Sequence, residues 1–345
     1  MSYLIPLTSS TFYINMANAN YTTVTEFILI AFEDLNQLQV FLFMVVLMIY
    51  ITTVSGNTLI YLLIKLDVSL HRAMYYFISE FAILEIIFVT IIIPKLLDIL
   101  IAGRNKISFA ACFLQLFCAD TAGAVECCLL TVMAFDRHLA ITNPLHYYHI
   151  MSKAFTKLAV IPWIAGLVVA SVPTIFTASL EYCGPNMINH FFCDLAPLQS
   201  LACSNPYVSK MVTSVACIFG ILLPFVIIIG FYIHIIMKVL EIKTTDGKHK
   251  AFSTCFSHLI VSSLWFGTGI AVYVKPSDSR HDKFLAFIYT IVTPSLNPFI
   301  YTFRNRDVKH IFFKWLGNIN SWTKEKLIQV KACKSNNPTK EWICG

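Results

Sequence analysis

Asp136 and Arg137 are adjacent charged residues at the end of a long apolar stretch of the sequence. An arginine within a membrane helix costs roughly 2.5–3.5 kcal/mol at the helix centre on insertion scales, so its presence points to a function. The neighbouring carboxylate can hold the guanidinium by charge-assisted hydrogen bonds. The spacing admits two interpretations: a releasable ion-pair switch at the membrane edge, or a surface charge pair at a helix end.

Four polar residues fall near the middle of four different apolar stretches: Asn57, Glu85, Glu126 and Asn297. Ionisable groups at that depth are candidates for function by default. Two carboxylates that share a dry site do not both ionise unless a cation or a hydrogen-bond donor compensates them. These residues therefore predict either a cation site or a protonated pair bonded to the asparagine amides.

Asp120 lies about two helical turns from Glu126 on the same apolar stretch. An acid in a ligand pocket favours an amine or another hydrogen-bond donor. The alternative is that Asp120 is paired by Thr121 or by a backbone group. His258 presents a similar choice, because its imidazole could report pH or could be a satisfied packing residue.

The composition excludes several classes of protein. The chain has 345 residues, of which 57% are hydrophobic and 13% are charged, whereas a soluble domain has about 25% charged residues. The net charge of +6 comes from residues in short loops and the C-terminal tail, which does not suggest nucleic acid. The sequence has no Gly-rich phosphate loop, zinc-type cysteine pairs or nucleophile elbow, so we expect neither an enzyme nor a cofactor.

The apolar stretches predict an all-α membrane protein, a bundle of seven transmembrane helices. About 20 apolar residues cross a bilayer core. The candidate spans are 38–64, 75–100, 108–135, 157–179, 211–237, 252–274 and 284–303. The third contains carboxylates, and Pro294 and Pro298 interrupt the seventh, which neighbouring helices can accommodate.

Lysine and arginine set the expected orientation. None occurs before Lys65 or in the predicted loop 180–209. The opposite face carries most of the basic residues, including Arg72, Arg137 and Lys250, so the positive-inside rule places it in the cytoplasm. The N-terminus is then extracellular, and an odd number of helices places the C-terminus inside.

Three segments follow from this topology: an extracellular segment 1–37, a receptor domain 38–304 and a cytoplasmic tail 305–345. Residues 1–16 lack the features of a signal peptide, so the first helix is expected to act as an uncleaved anchor. Asn20 begins a glycosylation sequon. The tail could form a short amphipathic helix against membrane lipid near residues 311–313, and Cys333 or Cys344 could be palmitoylated.

Six strings resemble motifs of the vertebrate olfactory receptors, which are rhodopsin-like G-protein-coupled receptors. They are VTEFIL at 24–29, LHRAMY at 70–75, MAFDRH at 133–138, PLHY at 144–147, KAFSTC at 250–255 with SHL at 257–259, and PSLNPFIY at 294–301. The resemblance runs from about Thr22 to Lys309. The sixth-helix string and the Cys-rich outer loop are the parts most specific to olfactory receptors.

This resemblance implies a plasma-membrane odorant receptor that couples to a stimulatory G protein and raises cyclic AMP. It implies a switch that involves Asp136, Arg137, Tyr232, His258, Asn297, Pro298 and Tyr301. A tyrosine near a membrane interface is often only an anchor, but the motifs favour Tyr232 and Tyr301 as partners of a released Arg137. The resemblance also suggests a sodium ion or water cluster at Asn57, Glu85, Glu126 and Asn297.

The same resemblance places the odorant pocket in the outer half of the bundle. It implies a lining of Asp120, Gly123, Ala124, Ala216, Cys217 and Gly220, closed by Phe266 and Tyr273. The family pairs Cys112 with Cys193, which leaves Cys183 to pair with Cys203. From the residues alone, four outer cysteines allow three pairings.

Some positions depart from the family pattern, and other functions remain as alternatives. Phe135 and His138 stand where tyrosine is usual, and Ala73 where proline is common. A receptor for an endogenous metabolite outside the olfactory system is one alternative. A retinal protein needs a lysine in the seventh span, and 284–303 contains none. A transporter would more often have inverted repeats, which the sequence lacks.

Overall fold

Seven long helices form the body of the molecule in the part of the chain that the computed structural model describes, residues 24–32, 37–274, 279–305 and 307–317. They are Gln39–Leu66 (α1), Ala73–Ala102 (α2), Phe109–Thr142 (α3), Tyr147–Ala178 (α4), Tyr207–Glu241 (α5), Thr245–Val274 (α6), and Ser279–Phe287 continuing through Ile288–Val292 to Thr293–Arg304 (α7). Each contains or overlaps one predicted span, which confirms the seven-helix architecture.

The helices fit a membrane by length and composition. Five of those in the described ranges, α1, α3, α4, α5 and α7, are long and apolar enough to cross one. The apolar part of α6 is the shorter stretch Cys255–Ala271. Long helices are the expected form because lipid leaves every backbone N–H and C=O to be satisfied within the segment.

Several helices extend beyond the apolar stretch that predicts them. The third span, expected at 108–135, continues to Thr142, and the fourth, expected at 157–179, begins at Tyr147. Hydropathy marks only the part of a helix that crosses the hydrocarbon. The extra turns carry polar and charged side chains at the membrane edge, where the inner residues of the predicted switch lie.

Two helices contain a π-turn immediately before a proline. In α5 the π-turn is Ile218–Leu222 and precedes Pro224, and in α7 it is Ile288–Val292 and precedes Pro294. Proline has no N–H to donate to the previous turn, and the wider turn lets the helix pass it without ending. The predicted interruption of the seventh span is therefore a local adjustment within a continuous helix.

The third helix lies at the centre of the bundle. It contacts α2, α4, α5 and α6. It lies close to α4 at Gly166, where an added Cβ would lie 2.4 Å from Val125 Cγ2 and 3.1 Å from the backbone of Thr121. Glycine is required at this crossing because any side chain would separate the two helices.

A small sheet and an aromatic cluster cap the outer end. Strands Glu26–Leu29 (β1), Lys106–Ser108 (β2) and Met187–Ile188 (β3) lie in the order β2-β1-β3, with β1 antiparallel to β2 and parallel to β3. Phe27 of β1 is buried and packs against the rings of Phe109, Phe113 and Tyr182. The segment before α1 is thereby attached to the outer loops.

A further helix, residues 307–317 (α8), follows α7 at the inner end. Val308 and Ile311 are buried, whereas Lys309 is exposed. The hydroxyl of Tyr75 donates to Asp307 Oδ2 at 2.7 Å, which links α8 to the start of α2. Cys333 and Cys344, together with the glycosylation candidate Asn20, lie outside the described residues.

Candidate functional site

A cavity of about 790 Å³ lies in the outer half of the bundle, between α3, α4, α5, α7 and the loop after α4. Six of the predicted ligand-binding residues line it: Asp120, Gly123, Ala124, Ala216, Cys217 and Gly220. Most of these side chains are small, so the space between the helices stays open. Cavities of this size are typical of small-molecule sites.

The predicted closure by the sixth helix differs from the structure. Phe266 is buried but does not line the cavity among the described residues; its ring packs against Phe225 with centroids 5.3 Å apart. The side chain of Tyr273 is outside the described residues. The cavity is bounded instead by Ala286, Tyr289 and Thr290 of α7. The prediction of Phe266 as a lining residue was therefore wrong.

Sequence reasoning missed the polar residues that the outer loop contributes. His190, Asp194 and Gln199 line the cavity, and Lys210 at the start of α5 also reaches it. The predicted disulfide between Cys112 and Cys193 contained the missing signal. A loop attached through Cys193 necessarily places its neighbour Asp194 near the top of the third helix.

Both predicted disulfides are present, Cys112–Cys193 and Cys183–Cys203, with Cα–Cα distances of 5.5 and 5.9 Å. Gln115 adds a polar attachment for the same loop. Its Oε1 accepts from the backbone N–H of Cys193 at 3.0 Å, and its Nε2 donates to Ile91 O at 3.0 Å. The roof of the cavity is thus fixed to α2 and α3.

Two acidic side chains, Asp120 and Asp194, belong to the lining of the cavity. Asp120 Oδ2 is buried with no hydrogen-bond partner among the described residues, and the Thr121 hydroxyl is likewise without one. The predicted alternative in which Thr121 pairs Asp120 is therefore not formed. In the loop, burial raises the pKa of Asp194 to about 6, although the backbone N–H of Leu195 opposes this. Burial, reinforced by Lys283, lowers the pKa of His190 to about 3, so His190 is neutral.

The mid-depth polar residues form a buried cluster of three. Asn297 Nδ2 donates to Glu85 Oε1, and Glu126 is completely buried in the neighbouring α3. In the described part of the chain, Glu85 Oε2, Asn297 Oδ1 and both carboxylate oxygens of Glu126 have no hydrogen-bond partner. Asn57 bonds instead within its own helix, to Thr53 O at 3.1 Å.

At the inner end of α3, Asp136 holds Arg137. The guanidinium donates to Asp136 Oδ2 from Nε at 3.0 Å and from a terminal nitrogen at 2.5 Å. The other carboxylate oxygen accepts from the Tyr147 hydroxyl at 2.7 Å. Asp136 is fully buried and Arg137 is mostly so. The pair is therefore part of a buried network, not a solvated charge pair at a helix end.

Two of the neighbouring switch candidates, Tyr232 and His258, connect α3, α5 and α6. The Tyr232 hydroxyl lies 2.6 Å from His258 Nδ1, and His258 Nε2 lies 3.0 Å from Leu130 O. Tyr301 is buried, and its hydroxyl lacks a hydrogen-bond partner within the described ranges. Pro298 packs against α1 so closely that a Cβ on Gly56 would lie 2.8 Å from it.

A contact between two histidines lies beside this network and was not predicted. His138 Nε2 is 2.7 Å from His234 Nδ1, so α3 and α5 share a hydrogen bond whose direction depends on the tautomers. Phe231 packs on the ring of His138 with centroids 5.1 Å apart. The departure from the family's usual tyrosine at 138 therefore retains a polar link between these helices.

The arrangement as a whole suits binding and conformational change. In the described ranges, no three His, Cys, Asp or Glu side chains converge in a way that could hold a metal ion. The outer cavity and the inner charged network are separated by a buried aromatic layer around Trp265, which donates from Nε1 to Cys127 Sγ at 3.2 Å and packs against Tyr289. Binding in the cavity would reach the inner network through this layer.

Comparison with known proteins identifies relatives over most of the chain. The family model described as olfactory receptor matches residues 46–318. Olfactory receptor 10A4 of Homo sapiens is 42% identical over 295 residues, which cover 84% of this chain and 94% of the relative. Olfactory receptor 6E1 of Mus musculus is 43% identical over 299 residues, covering 85% and 96%. Olfactory receptor 6F1 of Homo sapiens is 41% identical over 307 residues, covering 88% and 100%.

Proposed function

The chain belongs to the olfactory receptor family, and from this premise we propose that a small organic odorant binds in the outer cavity and thereby activates a stimulatory G protein. Members of this family are odorant receptors that cross the plasma membrane several times and are not enzymes. The observation that carries the proposal is the 790 Å³ cavity, lined by small residues beneath a loop held by disulfides.

The aromatic layer supports a route for the signal. Trp265 lies between the two halves of the bundle, in contact with Phe88, Tyr289 and the thiol of Cys127. Tyr289 also lines the cavity, so a ligand that displaces it changes the packing of Trp265. A ligand shifts the equilibrium between the resting and active states only if it binds one of them more tightly. Because Tyr289 contacts both the cavity and Trp265, its position can make the affinity of the two states differ.

The inner network supports the proposed output. In the resting state Asp136 holds Arg137, and Tyr232 is occupied by His258. We infer that activation moves the inner end of α6 outward and separates Tyr232 from His258. Arg137 would then leave Asp136 for Tyr232 and Tyr301, and a cleft would open for the G protein that raises cyclic AMP.

A sodium ion at the mid-depth cluster is part of the proposal. The partnerless oxygens of Glu85, Glu126 and Asn297 are a chemical fit, because hard cations take oxygen ligands and two adjacent carboxylates need a compensating charge. Asn57 Nδ2 donates to Thr53 O, so Oδ1 is the atom that Asn57 has to offer an ion. The ion would supply positive charge that keeps α2, α3 and α7 in the resting arrangement.

Filling the cavity tests the proposed ligand site. A Cβ at Gly123 would lie 3.7 Å from the Tyr289 hydroxyl, so Gly123→Leu is tolerated at its first carbon and then occupies ligand space. The matched control is Gly230→Leu, since Gly230 is exposed and its added Cβ meets nothing within 4 Å.

We expect Gly123→Leu to reduce odorant potency in a cyclic AMP assay by at least about tenfold, equivalent to about 1.4 kcal/mol. Surface staining should match that of Gly230→Leu, which should respond like the wild type. Equal potency in the two variants would place the ligand elsewhere.

A further inference from the structure

Two acidic side chains from different parts of the chain meet in the outer cavity. Asp120 comes from α3, and Asp194 comes from the loop after α4, one residue beyond the disulfide at Cys193. The rest of the cavity surface is largely small or apolar, including Ala119, Gly123 and Phe192. Two carboxyl groups in such a lining do not both ionise unless a cation or a hydrogen-bond donor compensates them.

The protein does little to compensate this charge. Among the described residues, no lysine or arginine nitrogen lies within 4.0 Å of either carboxylate. Asp194 receives the backbone N–H of Leu195. Asp120 Oδ2 is buried without a hydrogen-bond partner, although Thr121 beside it carries a free hydroxyl. A buried carboxylate oxygen without a donor is costly and calls for a partner from elsewhere.

The other titratable groups of the lining do not supply that partner. His190 is neutral, because burial lowers its pKa to about 3. Lys210 is exposed at the cavity edge, with its side chain largely in solvent. Cys217 is a thiol and carries no positive charge. Cys127 and Tyr289 also line the cavity and carry no positive charge, so among the described lining residues Lys210 is the one cationic side chain beside the two acids.

We propose that the ligands of this receptor are small organic amines, whose protonated nitrogen is bound jointly by Asp120 and Asp194 while their apolar part occupies the cavity. The inference rests on the proposed ligand site and specifies its chemistry. An ammonium group provides up to three N–H donors and the opposite charge, which match the oxygen atoms of two carboxylates. Charge-assisted hydrogen bonds of this type are about twice as strong as neutral ones.

The geometry also sets a preference within the class. One carboxylate belongs to a helix and the other to a disulfide-held loop, so an amine that engages both joins the roof of the cavity to α3. A neutral alcohol of the same shape can donate one hydrogen bond but leaves the charge uncompensated. A carboxylic acid adds a third negative group and is excluded by repulsion.

Matched ligands on the wild-type receptor provide the first test. Cells expressing the full chain are exposed to hexylamine, 2-phenylethylamine and cyclohexylmethylamine, each beside the alcohol and the carboxylic acid of the same carbon skeleton. We expect cyclic AMP responses to amines at concentrations at least about tenfold below those of the alcohols, and none to the acids. Alcohols or acids that equal or exceed the amines would overturn the proposal without affecting the proposed receptor function.

Isosteric variants provide the second test. Asp120→Asn and Asp194→Asn should each raise the amine concentration for half-maximal response by at least about tenfold and leave the alcohol response within about threefold. Glu181→Gln, an exposed outer-loop change away from the cavity lining, is the matched control and should have no effect. Unchanged amine potency in both aspartate variants, at normal surface staining, would contradict joint recognition.

Ligand binding to the purified receptor tests the proposed ligand class independently of the proposed G-protein coupling. A bound ligand raises the melting temperature of the state it binds. Amines should stabilise the purified full-length wild-type receptor more than their alcohols do, and the difference should disappear in Asp120→Asn. Stabilisation by amines without a cyclic AMP response would support the ligand class and refute the proposed coupling. Equal stabilisation by amines and alcohols would refute the ligand class.

Discussion

At the scale of single residues, the function depends on buried charges that are held by few partners. One carboxylate oxygen of Asp136 accepts from Arg137 and the other from Tyr147, while Asp120 Oδ2 has no hydrogen-bond partner within the described ranges. The hydrogen bonds at Asp136 hold an ion pair that a conformational change can separate. At Asp120, Oδ2 is left available to accept a hydrogen bond from a ligand. In the proposed mechanism, these two of the three carboxylates of α3 act at opposite ends of the same signal.

Removing the Tyr147 hydroxyl tests the restraint on Asp136. Tyr147→Phe deletes a 2.7 Å hydrogen bond to a buried carboxylate, an interaction of about 1.5–3 kcal/mol. The resting state should lose stability relative to the active one, so basal cyclic AMP per surface receptor should rise several-fold. Tyr148→Phe, at an exposed neighbouring ring, is the control. A basal signal that is the same in both variants would show that Tyr147 does not restrain the switch.

The raised pKa of Asp194 predicts how ligand binding depends on pH. With a pKa of about 6, its carboxylate is charged above pH 6 and becomes neutral as the pH falls through that value. The other titratable groups in the described lining are Asp120, Cys127, His190, Lys210, Cys217 and Tyr289, and Lys283 lies near His190. A permanently charged ligand, hexyltrimethylammonium, should therefore lose potency on acidification, by up to about tenfold one pH unit below the pKa.

The measurement is the thermal stabilisation of purified receptor by hexyltrimethylammonium between about pH 7.5 and 5, with hexanol as the neutral comparison. Asp194→Asn should flatten the part of the profile centred near pH 6. A ligand effect that is constant across this range in the wild type would be inconsistent with an ionised Asp194 in the site.

At the scale of elements, close helix contacts position both sites. The third helix carries the cavity acid, one carboxylate of the mid-depth cluster and the Asp136–Arg137 pair, and α4 packs against it at Gly166. The π-turn of α5 occurs where Gly220 lines the cavity, and that of α7 includes Tyr289 and Thr290. Widened turns therefore present residues to the ligand on both helices.

A single methyl group at the α3–α4 crossing should destabilise the receptor. The Cβ of Gly166→Ala would lie 2.4 Å from Val125 Cγ2 and 3.1 Å from two backbone atoms, so the helices must move apart. Overpacking of this kind costs about 1–3 kcal/mol. We expect a lower melting temperature and less surface receptor than for Gly230→Ala, whose added methyl group meets nothing within 4 Å. Equal stability of the two variants would mean that this crossing is loosely packed.

The sequence was sufficient for the helices but not for all of their contacts. The length of the apolar stretches located all seven helices, and the distribution of lysine and arginine predicted their orientation. Arg104 and Lys106 are exceptions near the outer end, where they lie within 4.0 Å of Asp98 and Glu26, respectively. The family strings supplied both disulfides. Phe266 was placed in the cavity lining because a helical pattern does not specify which way each side chain of the helix points. In the structure its ring packs against Phe225 instead.

Residues of the site that lie in loops were the hardest to predict. Asp194 and His190 have no periodic pattern, and their position follows from a disulfide and a three-stranded sheet that join distant segments. The pair His138 and His234 is 96 residues apart and meets only because α3 and α5 pack together. Asn57 was grouped with Glu85 only because both lie near the middle of an apolar stretch, whereas Asn57 Nδ2 donates to Thr53 O.

At the scale of the whole molecule, the proposed ligand end and the proposed signalling end are joined by the aromatic layer around Trp265. Two disulfides and the small sheet cross-link the outer end and restrict the movement of its loops. The inner end is held by individual hydrogen bonds at Asp136, His258 and Tyr75, each of which can break separately. This difference in stiffness favours movement at the inner end when the cavity fills.

The most direct test of the account is the cyclic AMP response to a panel of odorants and amines in cells expressing the wild-type chain or Arg137→Ala, with surface staining in parallel. The account predicts a ligand-dependent rise in wild-type cells and its loss in Arg137→Ala at comparable surface staining. A response that is undiminished in Arg137→Ala would contradict the proposed link between the outer cavity and the Asp136–Arg137 switch.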